Sequence, residues 1–377
     1  MAYRARRFGE NVLYKILSDH WRNFVGAYEE RFQHVCGALR GVTGRVVDRF
    51  LDCGNPMNGF ARIKCSSCGA EKLLHFSCKT RGCVPSCQAR RSEEWARWFA
   101  DDLAEPVPHH QIVFTIPKML RAYFRYDRTL MTDLSRAAYR AVSQFVETAV
   151  GPGIRPAMAV VKHTFGEGVR FHPHLHALVT SGGWDRRRAW QPLPAWDHGA
   201  LRELFEIEVF RFLRTKELLS RERMELIRSW PHTGFNVHTG ETIEMDDAPG
   251  LTRVARYLLR APLMLSRITY DREHAAVRIE SHSARGRESL ELDVLDFIAR
   301  LTTQIPGPHE RLVLYYGLYA NASRQRRVTD GGAMRIISFI TDRTVIDTIL
   351  RHIGFKHTDT PPLRYHPPPQ PSGAPLG

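Results

Sequence analysis

Three histidines, His172, His174 and His176, alternate along the stretch Phe171-His-Pro-His-Leu-His-Ala-Leu-Val. The period of two in a strand puts all three imidazoles on one face, with Leu175, Ala177 and Val179 turned the other way into a core. Two imidazoles at i and i+2 on a rigid strand form a preorganised pair of metal ligands, whereas a purely structural role requires three polar rings to find separate partners. If Glu167-Gly168 is a two-residue turn, Gly166 pairs with Val169 and His163 falls opposite His172, which makes His163 the candidate third ligand. A turn one residue longer flips His163 to the opposite face.

Thiols form a second constellation. Of the seven cysteines, six lie between Cys53 and Cys87, and only Cys36 stands apart. Cys65-x2-Cys68 and Cys83-x3-Cys87 are two knuckles about fifteen residues apart, the arrangement that places four thiolates tetrahedrally around one zinc ion. Cys78 and Cys53 are alternates that would replace one of the four or start a second, incomplete site. The segment is rich in Gly, Ser and Lys and poor in apolar periodicity. A structural zinc worth about 10–16 kcal/mol can fold such a segment where its own core cannot. Lys64, Lys72, Lys79, Arg81, Arg90 and Arg91 surround the thiols, as in a ribbon that touches phosphate. Buried free thiols in an ordinary core are the plainer alternative.

A third group is Tyr257. In the helix read over Leu251–Arg260, Leu251, Val254, Ala255, Leu258 and Leu259 follow the i, i+3, i+4, i+7, i+8 rule and bury one face. Arg253, Arg256, Tyr257 and Arg260 share the other. A phenol with an ordinary pKa of about 10 needs positive charge or a metal nearby to act as a nucleophile, and flanking guanidinium groups can also hold a phosphate under attack. Taken alone, the helix reads as a solvated basic face with one tyrosine at its edge.

The rest of the chain reads as scaffold for these groups. Its 377 residues are 43% hydrophobic and 25% charged, enough for at least one sizeable core and more than one structural unit. Apolar spacing over Asn11–Phe50 predicts two or three helices. A short helix follows over Glu93–Leu103, then a strand over Gln111–Ile116 and a long amphipathic helix from Tyr126 to Val150. Strands over Ala157–Phe165 and Val169–Thr180 flank Gly166-Glu167-Gly168. Arg186–Gly199 reads as a loop, Leu201–Trp230 as a helix and Phe235–Ile243 as a strand. Asp247–Gly250 starts the tyrosine helix, which Pro262 ends or kinks. Ala276–Ser283 is strand-like, Leu292–Gln304 is helical, and Arg311–Tyr316 is strand-like or an entry to a helix. Pro361–Gly377, with seven prolines, reads as a disordered tail.

The formal charge of +14 favours a polyanionic partner, nucleic acid before a membrane surface. The basic residues are 46 Arg and 8 Lys, a bias that suits bidentate phosphate contacts and that a GC-rich genome produces equally. No run of 18 apolar residues exists and the first ten residues lack a secretory apolar stretch, so a cytoplasmic protein is expected.

In its histidine strand and downstream helical tyrosine, the chain resembles the HUH endonuclease superfamily. More specifically, an ordered set of blocks across roughly residues 30–355 is similar to the transposases of the insertion sequence ninety-one family. The blocks are Cys65-Ser-Ser-Cys68, Phe76-Ser-Cys-Lys79, Arg81-Gly82, Pro85-Ser-Cys-Gln-Ala-Arg-Arg91, His163-Thr-Phe-Gly166, Phe171-His-Pro-His-Leu-His-Ala177, Arg256-Tyr-Leu-Leu-Arg260 and Tyr315-Tyr-Gly-Leu318. The resemblance implies rolling-circle-type transposition, with single-strand cleavage at the element end, a covalent 5′-phosphotyrosine and later strand transfer. His174 and His176, with His163 where relatives carry His or Gln, would then hold a divalent ion, Mg²⁺ or Mn²⁺. Tyr257 would attack phosphorus, and Arg253, Arg256 and Arg260 would contact DNA.

Three positions depart from the family. Arg253 stands where many relatives have a second tyrosine, so the chain resembles the single-tyrosine members. Cys83-Val-Pro-Ser-Cys87 replaces the usual Cys-Pro-x-Cys, and Thr329-Asp-Gly-Gly-Ala precedes Met334 where many relatives have a second cysteine pair.

The fold expected is α+β: a helical segment (1–50), a zinc ribbon (51–92) and an HUH-type domain (105–355) with a central antiparallel sheet and flanking helices, before the tail (361–377). The expected partner is DNA, chiefly single-stranded element ends and target, with the protein associated with the nucleoid and not with a membrane. Rival readings are a plasmid replication initiator or relaxase, a zinc-ribbon DNA-binding protein with an inactive site, and a metal hydrolase that uses the histidines with water.

Overall fold

The computed structural model describes residues 9–323, apart from 56–59, 65–70, 76, 82–84 and 284–285. Helix α1 (Val12–Arg31) starts where the Asn11 side chain accepts the Tyr14 amide at 2.8 Å, as an N-cap should. A one-turn α2 (Gln33–Cys36) and α3 (Gly41–Leu51) complete the lead-in, so the expected two or three helices are three. The cysteine segment contributes the hairpin β1 (Phe60–Lys64) and β2 (Glu71–His75) and then α4 (Pro85–Trp98), which runs into a π-helical turn at Phe99–Leu103. The helix expected from Glu93 thus begins eight residues earlier, on the last knuckle.

Strand β3 (His109–Thr115), the short α5 (Arg121–Tyr126), α6 (Leu130–Val150), β4 (Met158–Phe165) and β5 (Phe171–Thr180) follow. After them come the small hairpin of β6 (Gly182–Trp184) and β7 (Trp190–Pro192), α7 (His198–Thr215), α8 (Arg221–Ser229), β8 (Asn236–Ile243) and α9 (Ala248–Leu258). The chain continues through β9 (Ile268–Asp271), β10 (Ala276–Ser283), β11 (Gly286–Asp293), α10 (Val294–Gln304) and β12 (Val313–Tyr316). Three details correct the expectations. The helix read over Leu201–Trp230 is two helices, β7 lies inside the expected loop, and β9 and β11 flank β10 as strands that alternation alone did not reveal. No helix among the described residues is long and apolar enough to cross a membrane. Three of the ribbon's six cysteines, Cys65, Cys68 and Cys83, together with the Thr329–Met334 segment and the tail 361–377, lie outside the described residues.

The architecture is α+β around a five-stranded antiparallel sheet in the order β12-β4-β5-β3-β8. One face of the sheet carries Ile112, Phe114, Val160, Leu175, Ala177 and Val179 into a core with α6 and α7. Helix α6 supplies Leu134, Ala138, Ala141, Val142 and Phe145 at helical spacing, which is why a 21-residue amphipathic stretch docks there. The other face is covered over β4 and β5 by α9 and the π-helical turn, through Phe99, Ala159, Val161, Leu178, Ala255 and Leu258. A further core joins α1 and α3 to α10 and the three-stranded sheet β11-β10-β9, so the N-terminal helices share their apolar packing with residues 263–305.

The β4–β5 connection differs from the two-residue turn expected. Phe165 pairs with Phe171, and Gly166 to Arg170 form the link, with a 3₁₀ turn at Glu167–Val169. Gly168 has φ +60°, the left-handed region that glycine favours, and Val169 follows it there at φ 59°. A bulge between His163 and Phe165 then shifts the register once more, and His163 pairs with His174 rather than His172. The longer turn and the bulge each move the register by one residue; together they restore the parity, and His163 stays on the histidine face.

Candidate active site

His163, His174 and His176 come together at the centre of the covered sheet face. One ligand atom from each lies within 4.8 Å of the others, and all three side chains are buried. His174 Nε2 and His176 Nε2 are 3.1 Å apart, and the His163 ring centroid lies 4.5 Å from that of His176. A carbonyl oxygen only accepts, so two protons can be placed. His174 Nδ1–H donates to the His172 carbonyl at 2.8 Å, and His163 Nε2–H donates to the Leu258 carbonyl at 2.6 Å. His174 therefore turns a lone pair on Nε2 toward the cluster. His163 keeps a lone pair on Nδ1, and that atom is buried without a hydrogen-bond partner. An orphaned buried acceptor beside two converging imidazoles is what a three-nitrogen metal site looks like, and a divalent ion fits the donors. His172, expected on the same face, stands outside the cluster. Its ring lies 5.0 Å from that of His174, and it lines a cavity of about 360 Å³ with Arg121, Gly166 and Arg170.

Burial also sets the charge of these rings. It pushes His174 down to about 4 and His176 to about 3, each helped by neighbouring positive or imidazole groups, and holds His163 well below the usual imidazole value. His109, buried and 2.6 Å from the Tyr319 hydroxyl, is likewise pushed to about 4 by burial. Neutral imidazoles are the ligand form. In the unfolded chain the same rings take up protons near pH 6.5, so the unfolded state binds more protons below that value. The stabilisation is fully present above about pH 6.5 and is lost as pH falls toward 4. Denaturant titrations should show stability falling by roughly 1 kcal/mol per pH unit for each buried histidine in that window; a flat profile from pH 7 to 4.5 would contradict the neutral cluster.

Helix α9 brings the phenol to this cluster, and both of its ends are pinned. At the start, Asp247 Oδ1 accepts the Gly250 amide at 2.8 Å, with Pro249 in the first turn. At the end, the Leu258 carbonyl takes the His163 proton, while the Leu259 carbonyl accepts from Gln88 Nε2 at 2.9 Å and lies 2.7 Å from the Ser92 hydroxyl. The last turn, which would otherwise leave its carbonyls unpaired in a buried setting, is thus held by the histidine face on one side and α4 on the other. Leu251, Ala255, Leu258 and Leu259 are buried as the apolar spacing predicts, and Tyr257 is 43% exposed on the opposite face. Its ring meets that of His176 edge-on, with centroids 5.9 Å apart.

Arg260 organises the phenol. Its Nη1 donates to the Tyr257 hydroxyl at 2.6 Å, and its guanidinium lies 4.4 Å from the Tyr257 ring centroid and 5.8 Å from that of Phe165. Phe165 in turn stacks on His163 at 4.7 Å. Arg256 is placed differently: it pairs with Glu93 of α4 at 2.5 and 3.1 Å, and so braces α9. Arg253 is exposed. Of the thiols, the Cys53 sulfur accepts the Cys78 amide at 3.2 Å, and Cys87 is half-buried in the first turn of α4. The alternates Cys53 and Cys78 are therefore neighbours; Cys65, Cys68 and Cys83 are outside the described residues.

Sequence reading missed Gln111, Phe165, Gln88, Ser92 and Glu93. Gln111 Nε2 lies 3.2 Å from His176 Nδ1. The one local signal was a polar residue at the head of the otherwise apolar run Gln-Ile-Val-Phe-Thr-Ile, in phase with Val113 and Thr115. The others are found only once α4 is known to lie on α9. Removing both caps tests that contact. The double variant Gln88→Ala, Ser92→Ala should lower folding stability by roughly 1–3 kcal/mol in a denaturant titration, the satisfied hydrogen bonding that the helix end loses. An unchanged midpoint would contradict the capping contact.

Residues 157–327 match a family model described as "Putative transposase", and residues 16–116 match one described as "Transposase zinc-binding domain". The chain is 26% identical over 302 residues to the transposase for insertion sequence element IS801 of Pseudomonas savastanoi pv. phaseolicola, which covers 76% of this chain and 72% of that protein. It is 30% identical over 172 residues to "Putative transposase y4qJ" of Sinorhizobium fredii, covering 45% of this chain and 41% of that one. No solved structure matches it.

Proposed function

Since the chain belongs to the insertion sequence ninety-one family of transposases, we propose that it cuts and rejoins single-stranded DNA through Tyr257, with a divalent ion held by His163, His174 and His176. The observation that carries this reading is the juxtaposition of three buried, neutral imidazoles with one exposed, Arg260-bound phenol. When bound, the ion would polarise the scissile phosphate and offset its developing charge. Three nitrogen donors suit Mn²⁺ better than Mg²⁺.

The protein's own groups supply the rest. Tyr257 gives up its proton to solvent and its oxygen attacks phosphorus, forming the 5′-phosphotyrosine bond as the P–O3′ bond breaks. The 3′ oxygen takes a proton from water and leaves as a free hydroxyl. Because the new ester has nearly the energy of the old one, a 3′-OH can later reverse the step on another strand and release Tyr257. Arg260, donating to the phenol oxygen and lying against two aromatic faces, orients the nucleophile and places positive charge where the phosphate must approach. Arg253 is open to a neighbouring phosphate, whereas Arg256 acts through Glu93 as a brace. Cys65, Cys68, Cys83 and Cys87, with Cys78 and Cys53 as alternates, are proposed to hold a structural zinc that folds the ribbon onto DNA.

The reading is tested by incubating the protein with end-labelled single-stranded element-end DNA and Mn²⁺ on a denaturing gel. A slow, protease-sensitive band from wild type supports it. Cleavage without that band favours a hydrolase using water, and tight binding without cleavage favours a DNA-binding protein with an inactive centre.

A further inference from the structure

We propose that Gln111 is a two-position switch whose amide turns over to serve either tautomer of His176, and that this second position lets the buried histidine cluster take its ion. The inference rests on the reading of that cluster as a metal site.

Gln111 stands on β3 opposite Leu178 of β5, two pairs along from Val113 and His176 and on the same face, and its side chain reaches diagonally across to the imidazole. With Gln111 Nε2 3.2 Å from His176 Nδ1, the amide nitrogen, which only donates, makes Nδ1 an acceptor. A neutral ring that accepts at Nδ1 carries its proton on Nε2. That proton points at His174 Nε2, 3.1 Å away, and His174 Nε2 is an acceptor because His174 Nδ1 already donates to the His172 carbonyl. The side chains thus form one directed chain: Gln111 to His176, His176 to His174, His174 to the backbone. Each donor in this chain faces an acceptor, so the His174–His176 pair is satisfied without an ion and His163 Nδ1 is the atom of the cluster left unpaired.

Ion binding needs lone pairs on both Nε2 atoms. His174 already offers one; His176 must lose its proton from Nε2 and gain one at Nδ1, a change that leaves the ring neutral and releases no net proton. The new Nδ1–H then needs an acceptor in a buried place. Gln111 supplies it by turning its amide over, so that Oε1 takes the position of Nε2 with no change in shape. With a methionine there the ion-free ring keeps a bare Nδ1 lone pair, whereas the ion-bound ring is left with a buried, unpaired Nδ1–H, the costlier of the two, and a carboxylate satisfies only the ion-bound state. Gln111 is therefore a positioning residue: it touches neither phosphate nor ion, and acts through His176.

The test uses the full chain as purified, titrated with Mn²⁺ while the free-ion paramagnetic resonance signal is followed, with His174→Ala as the baseline. Gln111→Met, of similar size and without the polar end, should weaken Mn²⁺ binding by about 10- to 100-fold. Gln111→Glu, locked as an acceptor, should bind at least as tightly as wild type. Equal binding by wild type and Gln111→Met, or weaker binding by Gln111→Glu than by Gln111→Met, overturns the switch while leaving the metal site standing. If wild type binds no better than His174→Ala, the metal reading itself fails and the switch with it. Thermal melts without Mn²⁺ identify a variant that has lost its fold, in which case the Gln111→Glu comparison decides.

Discussion

Tyr257→Phe is expected to abolish covalent capture of DNA and to lower single-strand cleavage by on the order of 10⁴-fold or more, the scale on which removal of a nucleophile acts. The change deletes one oxygen from a side chain that is 43% exposed and whose hydroxyl has Arg260 as its partner. Packing against His176 survives, because the ring remains. Folding stability and single-stranded DNA affinity should therefore stay near the wild-type values, and the loss falls on the chemical step alone. A quenched-flow or end-point cleavage assay paired with a DNA-binding titration checks both halves. Residual cleavage within tenfold of wild type would mean that another group, or water, attacks the phosphate. Arg253 stands four residues earlier in place of a second tyrosine, so no neighbouring phenol on α9 can take over.

The second large effect is expected at the cluster. His174→Ala should remove Mn²⁺ binding and lower cleavage by roughly 10²- to 10⁴-fold, the several kcal/mol that an ion contributes at a phosphoryl centre. His174 joins three links at once: its Nδ1 is fixed on the His172 carbonyl, its Nε2 faces His176, and its ring meets His163 edge-on at 5.2 Å. His176→Ala should behave alike. His163→Ala should do more, because His163 also holds the last turn of α9 through Leu258, so its loss loosens the tyrosine helix as well as the site. Calorimetric Mn²⁺ titration beside the cleavage assay separates the two effects. His172→Ala, outside the cluster, should leave Mn²⁺ affinity unchanged.

Much of this site can be read in the linear sequence because its parts obey local periods. Alternation put His174 and His176 on one strand face and Leu175, Ala177 and Val179 on the other. Helical spacing separated the buried Leu251, Ala255 and Leu258 from Tyr257 and Arg260, and Asp247 marked the helix start. Register was less legible. The link from Gly166 to Arg170 is longer than the shortest turn the glycines allow, and a bulge compensates; neither follows from residue types alone, although the preserved parity kept His163 in place. Least legible were contacts between distant segments. That α4 lies across α9, so that Gln88 and Ser92 cap Leu259 and Glu93 holds Arg256, depends on how two amphipathic helices share one face of the sheet. Gln111 belongs to the same class, since its neighbour is set by the pairing of β3 with β5, 65 residues apart along the chain. Of the four pairings in the five-stranded sheet, one, β4 with β5, joins consecutive strands, and long-range pairing of the other kind has no one-dimensional signature.

The most direct test is to identify the atom that DNA becomes attached to. Wild-type protein is reacted with single-stranded element-end DNA and Mn²⁺, digested with protease and nuclease, and the nucleotide-bearing peptide is sequenced by mass spectrometry. The expected result is a 5′-nucleotide phosphate carried on Tyr257 in the peptide containing Arg256-Tyr-Leu-Leu-Arg260. A phosphate on any other side chain, or full cleavage with no peptide modified, would contradict a tyrosine-257 transesterase.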